Sequence, residues 1–133
     1  MRIVLDSNVL IAAFAARGLC ESLLEVCLSD HELIVGEHLL GEIQRALVDK
    51  INLSPGIVED ILTLLKERGL LMDPESVSED ACRDADDLPI LGLAKAASAE
   101  CIVTGDKDLL VLTSFESIPI YSPRMFADSL RRL

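Results

Sequence analysis

The chain has 133 residues, the length of one ordinary domain, and half of them are hydrophobic, enough to bury a substantial core. A formal net charge of −11 argues against broad electrostatic capture of nucleic acid, although metal ions could still supply local positive charge at a site. Three Phe, one Tyr and no Trp argue against an extended base-stacking platform, and no apolar run approaches the roughly 20 residues of a membrane span.

The chain opens with a short apolar strand, Ile3-Val4-Leu5, that ends at Asp6. This run is too short for a signal-peptide core of about 7–15 residues, so a soluble cytoplasmic protein is expected. A helix is predicted from Val9 to Ala16, broken at Gly18, and a second from Leu19 to Leu28. Leu33-Ile34-Val35 reads as a second strand. Leu39, Leu40, Ile43, Ala46 and Leu47 then recur at helical spacing. Ser54-Pro55 starts another helix, because Ser caps and Pro suits the first helical position, and Gly69 stops it after Arg68. Leu70 to Met72 is a short strand, and the acidic stretch from Asp73 to Asp86 is a loop. Leu88 to Ser98 is helical, Cys101 to Thr104 and Ile118 to Ile120 are strands, and Met125 to Leu130 forms a last helix. With no internal repeat or linker, residues 1–133 read as one domain.

Strands alternating with helices imply an α/β fold with a parallel sheet covered on both faces, and short all-apolar strands suit such burial. Cys20, Cys27, Cys82 and Cys101 form no C-x-x-C pair and read as buried free thiols.

Ligand sites in parallel sheets lie beyond the carboxyl ends of the strands. Two of those ends carry aspartate: Asp6 follows the first strand, and Asp106 follows Thr104-Gly105. Either could simply cap the next helix; two at one sheet edge are harder to dismiss. Asp87 precedes the helix that starts at Leu88, with Asp84 and Asp86 as competitors in the same run. Glu42 falls just beside the apolar stripe of its helix and could reach inward at the rim of the core. Converging carboxylates repel and raise each other's pKa values, a conflict a divalent cation resolves. Like charge at close range also predicts that Asp6→Asn and Asp87→Asn each fold at least as stably as the wild type without metal. His31 and His38 read as surface or helix residues.

Ile3-Val4-Leu5-Asp6-Ser7-Asn8-Val9-Leu10 resembles the opening motif of PIN domains, and Ile102 to Leu110 resembles their late motif, especially in the toxin-type (VapC-like) branch. Glu42 matches the family's second acid, Asp87 the third and Asp106 the fourth. The resemblance implies a three-layer α/β/α sandwich with a central, mainly parallel sheet. It also implies a ribonuclease using Mg²⁺ or Mn²⁺ bound by Asp6, Glu42, Asp87 and Asp106. Ser7, Asn8 and Thr104 would be supporting neighbours. Many such proteins are toxins held by a cognate antitoxin, and many are homodimers. Positive mean hydropathy in so short a chain also points to a homodimer, through Leu19 to Leu28 or Ser54 to Arg68. The substrate would be RNA; Arg17, Arg45, Lys50, Lys95, Lys107, Arg124, Arg131 and Arg132 are candidates for phosphate contact.

Two other readings compete. A haloacid-dehalogenase-like phosphatase also begins with an apolar strand and Asp, but needs a second Asp two residues on, where Asn8 stands. A non-catalytic module on the same fold would have lost its acids, and all four candidates are present.

Overall fold

The computed structural model describes residues 1–131; Arg132, one of the cationic candidates, lies outside the described residues. The elements run β1 (Arg2–Leu5), α1 (Ser7–Ala15), α2 (Leu19–Asp30), β2 (Glu32–Val35), α3 (Glu37–Asp49), α4 (Pro55–Arg68), β3 (Leu70–Leu71), α5 (Leu88–Ala97), β4 (Cys101–Val103), α6 (Lys107–Leu110), β5 (Ser114–Phe115), β6 (Ile118–Tyr121) and α7 (Pro123–Leu130). The segment from Asp73 to Asp86 is a loop, interrupted by a 3-10 turn at Glu79–Ala81 and leading into a second at Ala85–Asp87.

One sheet has the order β3-β2-β1-β4-β6-β5, and every neighbouring pair is parallel except β5 with β6. Parallel crossovers are right-handed, so connections toward β3 cover one face and the return toward β6 covers the other. On the first face α1 packs on α2 and α3, and α7 comes back onto α2; α5 lies against β1 and β2. The result is an α/β/α sandwich with a mainly parallel sheet, as the family resemblance implies, and its covered faces are those that the alternation of elements predicts.

The apolar strands are buried as expected. Ile3, Val4, Leu5, Leu33, Ile34, Val35, Cys101, Ile102 and Val103 join one core cluster. Each fully buried Ile or Leu there contributes about 1.5–3 kcal/mol relative to exposure. The edge strand β3 departs from this: both leucines are exposed, because β2 covers only one side of it. Ser54 caps α4 by accepting from the Ile57 N–H at 3.4 Å, and Gly69 ends it. Gly92 in α5 has a close-approach role. A Cβ there would sit 2.2 Å from the Glu75 carbonyl oxygen, so the loop can lie flat on the helix only over glycine.

Two short elements lay outside the sequence reading, α6 and β5. α6 is a single turn, too short for any periodicity. β5 joins β6 through Glu116-Ser117, both with positive φ (46° and 71°), in a hairpin made without the Asn-Gly pair that normally announces such a turn. The four cysteines are free, Cys20 only partly buried; burial pushes the Cys27 and Cys101 thiols up to about 12.

Candidate metal centre at the carboxyl edge of the sheet

The chain leaves β1 toward β2 and β3, then returns to β4 on the other side of β1. The ends of β1 and β4 therefore flank the point where strand order reverses, the usual ligand crevice of open parallel sheets. Leu5 pairs with Val103, and the Asp6 N–H donates to the Val103 carbonyl at 2.9 Å. This register sets Asp6 beside Thr104. They are the two buried polar side chains among the described residues.

Asp6 is fully engaged. Thr104 Oγ1 and Asn8 Nδ2 donate to its Oδ2 at 2.8 and 3.0 Å, and the Ser7 backbone N–H donates to Oδ1 at 2.7 Å. Thr104 Oγ1 also accepts from the Asp106 N–H at 3.0 Å, and Asn8 Oδ1 accepts from the Gly105 N–H at 2.8 Å. A Cβ at Gly105 would crowd that Asn8 oxygen to 3.3 Å. Asn8 and Thr104 thus stitch the two strand ends together as supporting neighbours. Ser7 contributes its backbone here; its hydroxyl makes no hydrogen bond among the described residues. Burial raises the Asp6 pKa, and its hydrogen bonds partly offset the rise.

These donors revise the expectation for Asp6→Asn. Each carboxylate oxygen already accepts, so an amide NH₂ in either orientation would face a donor.

Asp87 is treated in the opposite way. It sits where the 3-10 turn Ala85–Asp87 enters α5, yet its side chain makes no capping bond, and Oδ2 is buried without a partner. Asp84 caps the turn by accepting from the Asp86 N–H at 3.0 Å, and Asp84 and Asp86 are exposed. Of the three acids in this run, Asp87 is the one turned toward Asp106. Burial, then the facing Asp106 carboxyl, then Asp6 and Asp84, push its pKa up to about 7.

Asp87, Asp106 and Asp108 each offer an oxygen within 4.8 Å of the others. Asp106 Oδ1 accepts from the Asp108 N–H at 2.9 Å, which turns the start of α6 around Asp106. Asp108 was passed over in the sequence; the signal available was its Asp-x-Asp spacing after a strand. Glu42 reaches the rim from α3, partly exposed, with its Oε1 3.5 Å from His38 Nε2. Its pKa is raised by burial first and also by Asp6 and Asp86, while His38 and Arg45 oppose the rise. So Asp87, Asp106 and Asp108 meet at the edge, and Asp6 and Glu42 flank them close enough to act through their charge.

A family model described as the PIN domain matches residues 2–108. The chain belongs to the PIN-domain family. Solved structures resemble it over nearly their full length at low identity. VapBC2 from Rickettsia felis, bound to a DNA fragment from its promoter, is 15% identical, with 92% of this chain and 98% of that one covered and a TM-score of 0.62. VapBC-1 from nontypeable Haemophilus influenzae is 16% identical, with 93% and 99% covered and a TM-score of 0.64. FitAcB from Neisseria gonorrhoeae is 17% identical, with 92% and 98% covered and a TM-score of 0.54. At these identities the likeness concerns the fold. Among curated proteins no sequence matches it.

The residues fit a divalent cation. The donors are hard carboxylate oxygens, suited to Mg²⁺ or Mn²⁺, and the buried orphan Asp87 Oδ2 lacks the partner that a cation would supply.

Proposed function

We propose that this PIN-domain protein is an endoribonuclease dependent on Mg²⁺ or Mn²⁺, and the toxin of a toxin–antitoxin pair. The observation that carries this reading is the buried, unpartnered Asp87 oxygen facing Asp106 and Asp108, beside the hydrogen-bonded Asp6. Asp6, Glu42, Asp87 and Asp106 would hold the cation, with Asp108 beside Asp87 and Asp106 as a further ligand. When bound, such a cation acidifies an attacking water and offsets charge on the phosphodiester. The protein's own part is positional. Thr104, Asn8 and the Ser7 N–H fix the Asp6 carboxylate in one orientation, and the stitched strand ends keep Asp106 in register with it. Burial and the facing Asp106 carboxyl push the Asp87 pKa up to about 7, so near neutrality it is poised between its neutral and charged forms, and a bound cation would favour the charged one.

Asn8 argues against the phosphatase reading. Both ends of its amide are hydrogen-bonded, and an amide cannot relay the proton that a phosphatase acid must deliver. Toxin–antitoxin complexes among the structural neighbours support an antitoxin partner, and a net charge of −11 suits a basic one. We place the protein in the cytoplasm; no helix among the described residues is long and apolar enough to cross a membrane. A homodimer is expected. Exposed apolar residues support α4 and its surroundings over α2, since Val48, Ile51, Ile57, Leu70 and Leu71 are exposed while α2 adds no large exposed hydrophobic. A monomer mass by light scattering at micromolar concentration would refute it.

The deciding experiment incubates the purified protein with mixed RNAs in Mg²⁺, Mn²⁺ or EDTA. Cleavage leaving 5′-phosphate ends with either metal and none in EDTA is expected. Cleavage undiminished by EDTA, or 2′,3′-cyclic phosphate ends, would overturn the proposal, and a trapped aspartyl-phosphate at Asp6 would favour the phosphatase.

A further inference from the structure

An open cavity of about 730 Å³ adjoins the carboxylate cluster, and Asp108 belongs to both. Its volume lies within the range of roughly 300–1,000 Å³ typical of small-ligand sites. Arg83 lines it from the loop before Asp87, and Lys107 from the start of α6. Neither cation makes an ion pair among the described residues, in a chain with 12 Lys and Arg against 23 Asp and Glu. The apolar part of the wall is Ala81, Cys82, Val111 and Leu112. Val111 is 74% exposed, the most exposed large hydrophobic among the described residues. Glu79, Asp80 and Asp108 also border the cavity and repel a phosphate, so within it a phosphate is favoured only beside Arg83 and Lys107.

We infer that this cavity binds the nucleotide next to the scissile bond of a single-stranded RNA, with Arg83 and Lys107 on its phosphate and Val111 against its base. This rests on the nuclease reading above and names where its substrate lies. Three features favour one unpaired nucleotide over a duplex. The cavity is of nucleotide size. Its two cations are a phosphate-scale charge, not a duplex footprint. Its exposed apolar side chain can meet a base face only if that base is unstacked, as in loops and single strands. Lacking aromatics, the pocket would hold the base by apolar contact and not by ring stacking, so its sequence preference should be weak.

The test is fluorescence anisotropy of a labelled single-stranded oligoribonucleotide in Ca²⁺, a hard oxygen-seeking cation used in place of Mg²⁺, beside cleavage kinetics in Mg²⁺. Arg83→Gln combined with Lys107→Gln should weaken binding at least tenfold. The slope of log affinity against log salt should fall by about 0.7, the value for one neutralised phosphate on a single strand. Cleavage should show raised KM with kcat changed much less. Val111→Ser should weaken binding severalfold, much alike for every base beside the cut, while leaving the salt slope alone. Unchanged affinity and salt slope in the double variant overturn the subsite even if the wild type cleaves RNA normally. Loss of binding to an acidic peptide such as polyglutamate, with RNA binding intact, would also overturn it and assign the cavity to a protein partner. If the wild type binds RNA with the expected slope but never cuts it, the nuclease reading fails and the binding site stands.

Discussion

Asp6 and Asp87 are the same residue type at the same sheet edge, and the fold gives them opposite surroundings. Asp6 is almost wholly buried, yet three donors satisfy its oxygens. Asp87 is more open overall, yet one of its oxygens is buried with nothing to accept from. Hydrogen bonds hold Asp6 in place whether or not a ligand arrives. Asp87 is left short of positive charge, and a proton or a cation can supply it. Burial alone therefore says little about which carboxylate is structural; the count of donors decides it.

The largest effect expected from breaking this pair is on chemistry. Asp6→Asn, Asp87→Asn and Asp106→Asn should each lower RNA cleavage by orders of magnitude, measured as kcat/KM in Mg²⁺. Each should also shrink the rise in melting temperature that Mg²⁺ gives the wild type, since the metal stabilises by binding the folded site. Full activity in any of the three would remove that residue from the site.

Stability without metal should then separate the two carboxylates. In EDTA, Asp6→Asn should cost about 1–3 kcal/mol, because its amide leaves a buried donor facing another donor. Thr104→Val should fall in the same range, losing the hydroxyl that joins Asp6 to the Asp106 N–H. Asp87→Asn should instead stabilise by about 1 kcal/mol, by removing a like charge and offering an amide donor toward Asp106. Urea melts of the three variants in EDTA check all of this. If Asp87→Asn melts below the wild type, the orphan oxygen has a structural role, and the contrast with Asp6 collapses.

How much of this was legible in the sequence follows from the range of each interaction. Ile3 to Leu5 and Cys101 to Val103 announce buried strands, because a run apolar at every position suits only a strand covered on both faces. Asp6 and Asp106 were legible as strand-end acids, and Asp87 as one of three. The choice among Asp84, Asp86 and Asp87 depends on a 3-10 turn that no periodicity encodes. The engagement of Asp6 was not legible either. It depends on Thr104 lying alongside, 98 residues away, and pairing register is a tertiary fact. Asp108 was hidden because α6 is one turn long. Arg83 lacked a signal because a cation in an acidic loop looks like any solvated surface charge.

The smallest expected effect is a pH dependence, and its sign tests the Asp87 assignment directly. Burial and the facing Asp106 push the folded Asp87 carboxyl up to about 7, against 3.8 for an unperturbed Asp. Between those values the folded state holds a proton that the unfolded state has released. Metal-free stability should therefore fall as pH rises through this window, and be recovered as pH drops from about 8 toward 5. Asp6 and Glu42, both raised, push in the same direction. Because Asp87 is partly open to solvent, screening should hold its share to about 1 kcal/mol. Asp87→Asn should flatten the slope without abolishing it. With millimolar Mg²⁺ the slope should reverse for the wild type, because a cation binds the deprotonated carboxylate and the proton competes with it. Melting curves at matched ionic strength from about pH 5 to 8, with EDTA and with Mg²⁺, read both slopes. A wild-type slope that keeps the same sign with and without Mg²⁺ would mean that Asp87 does not exchange its proton for metal.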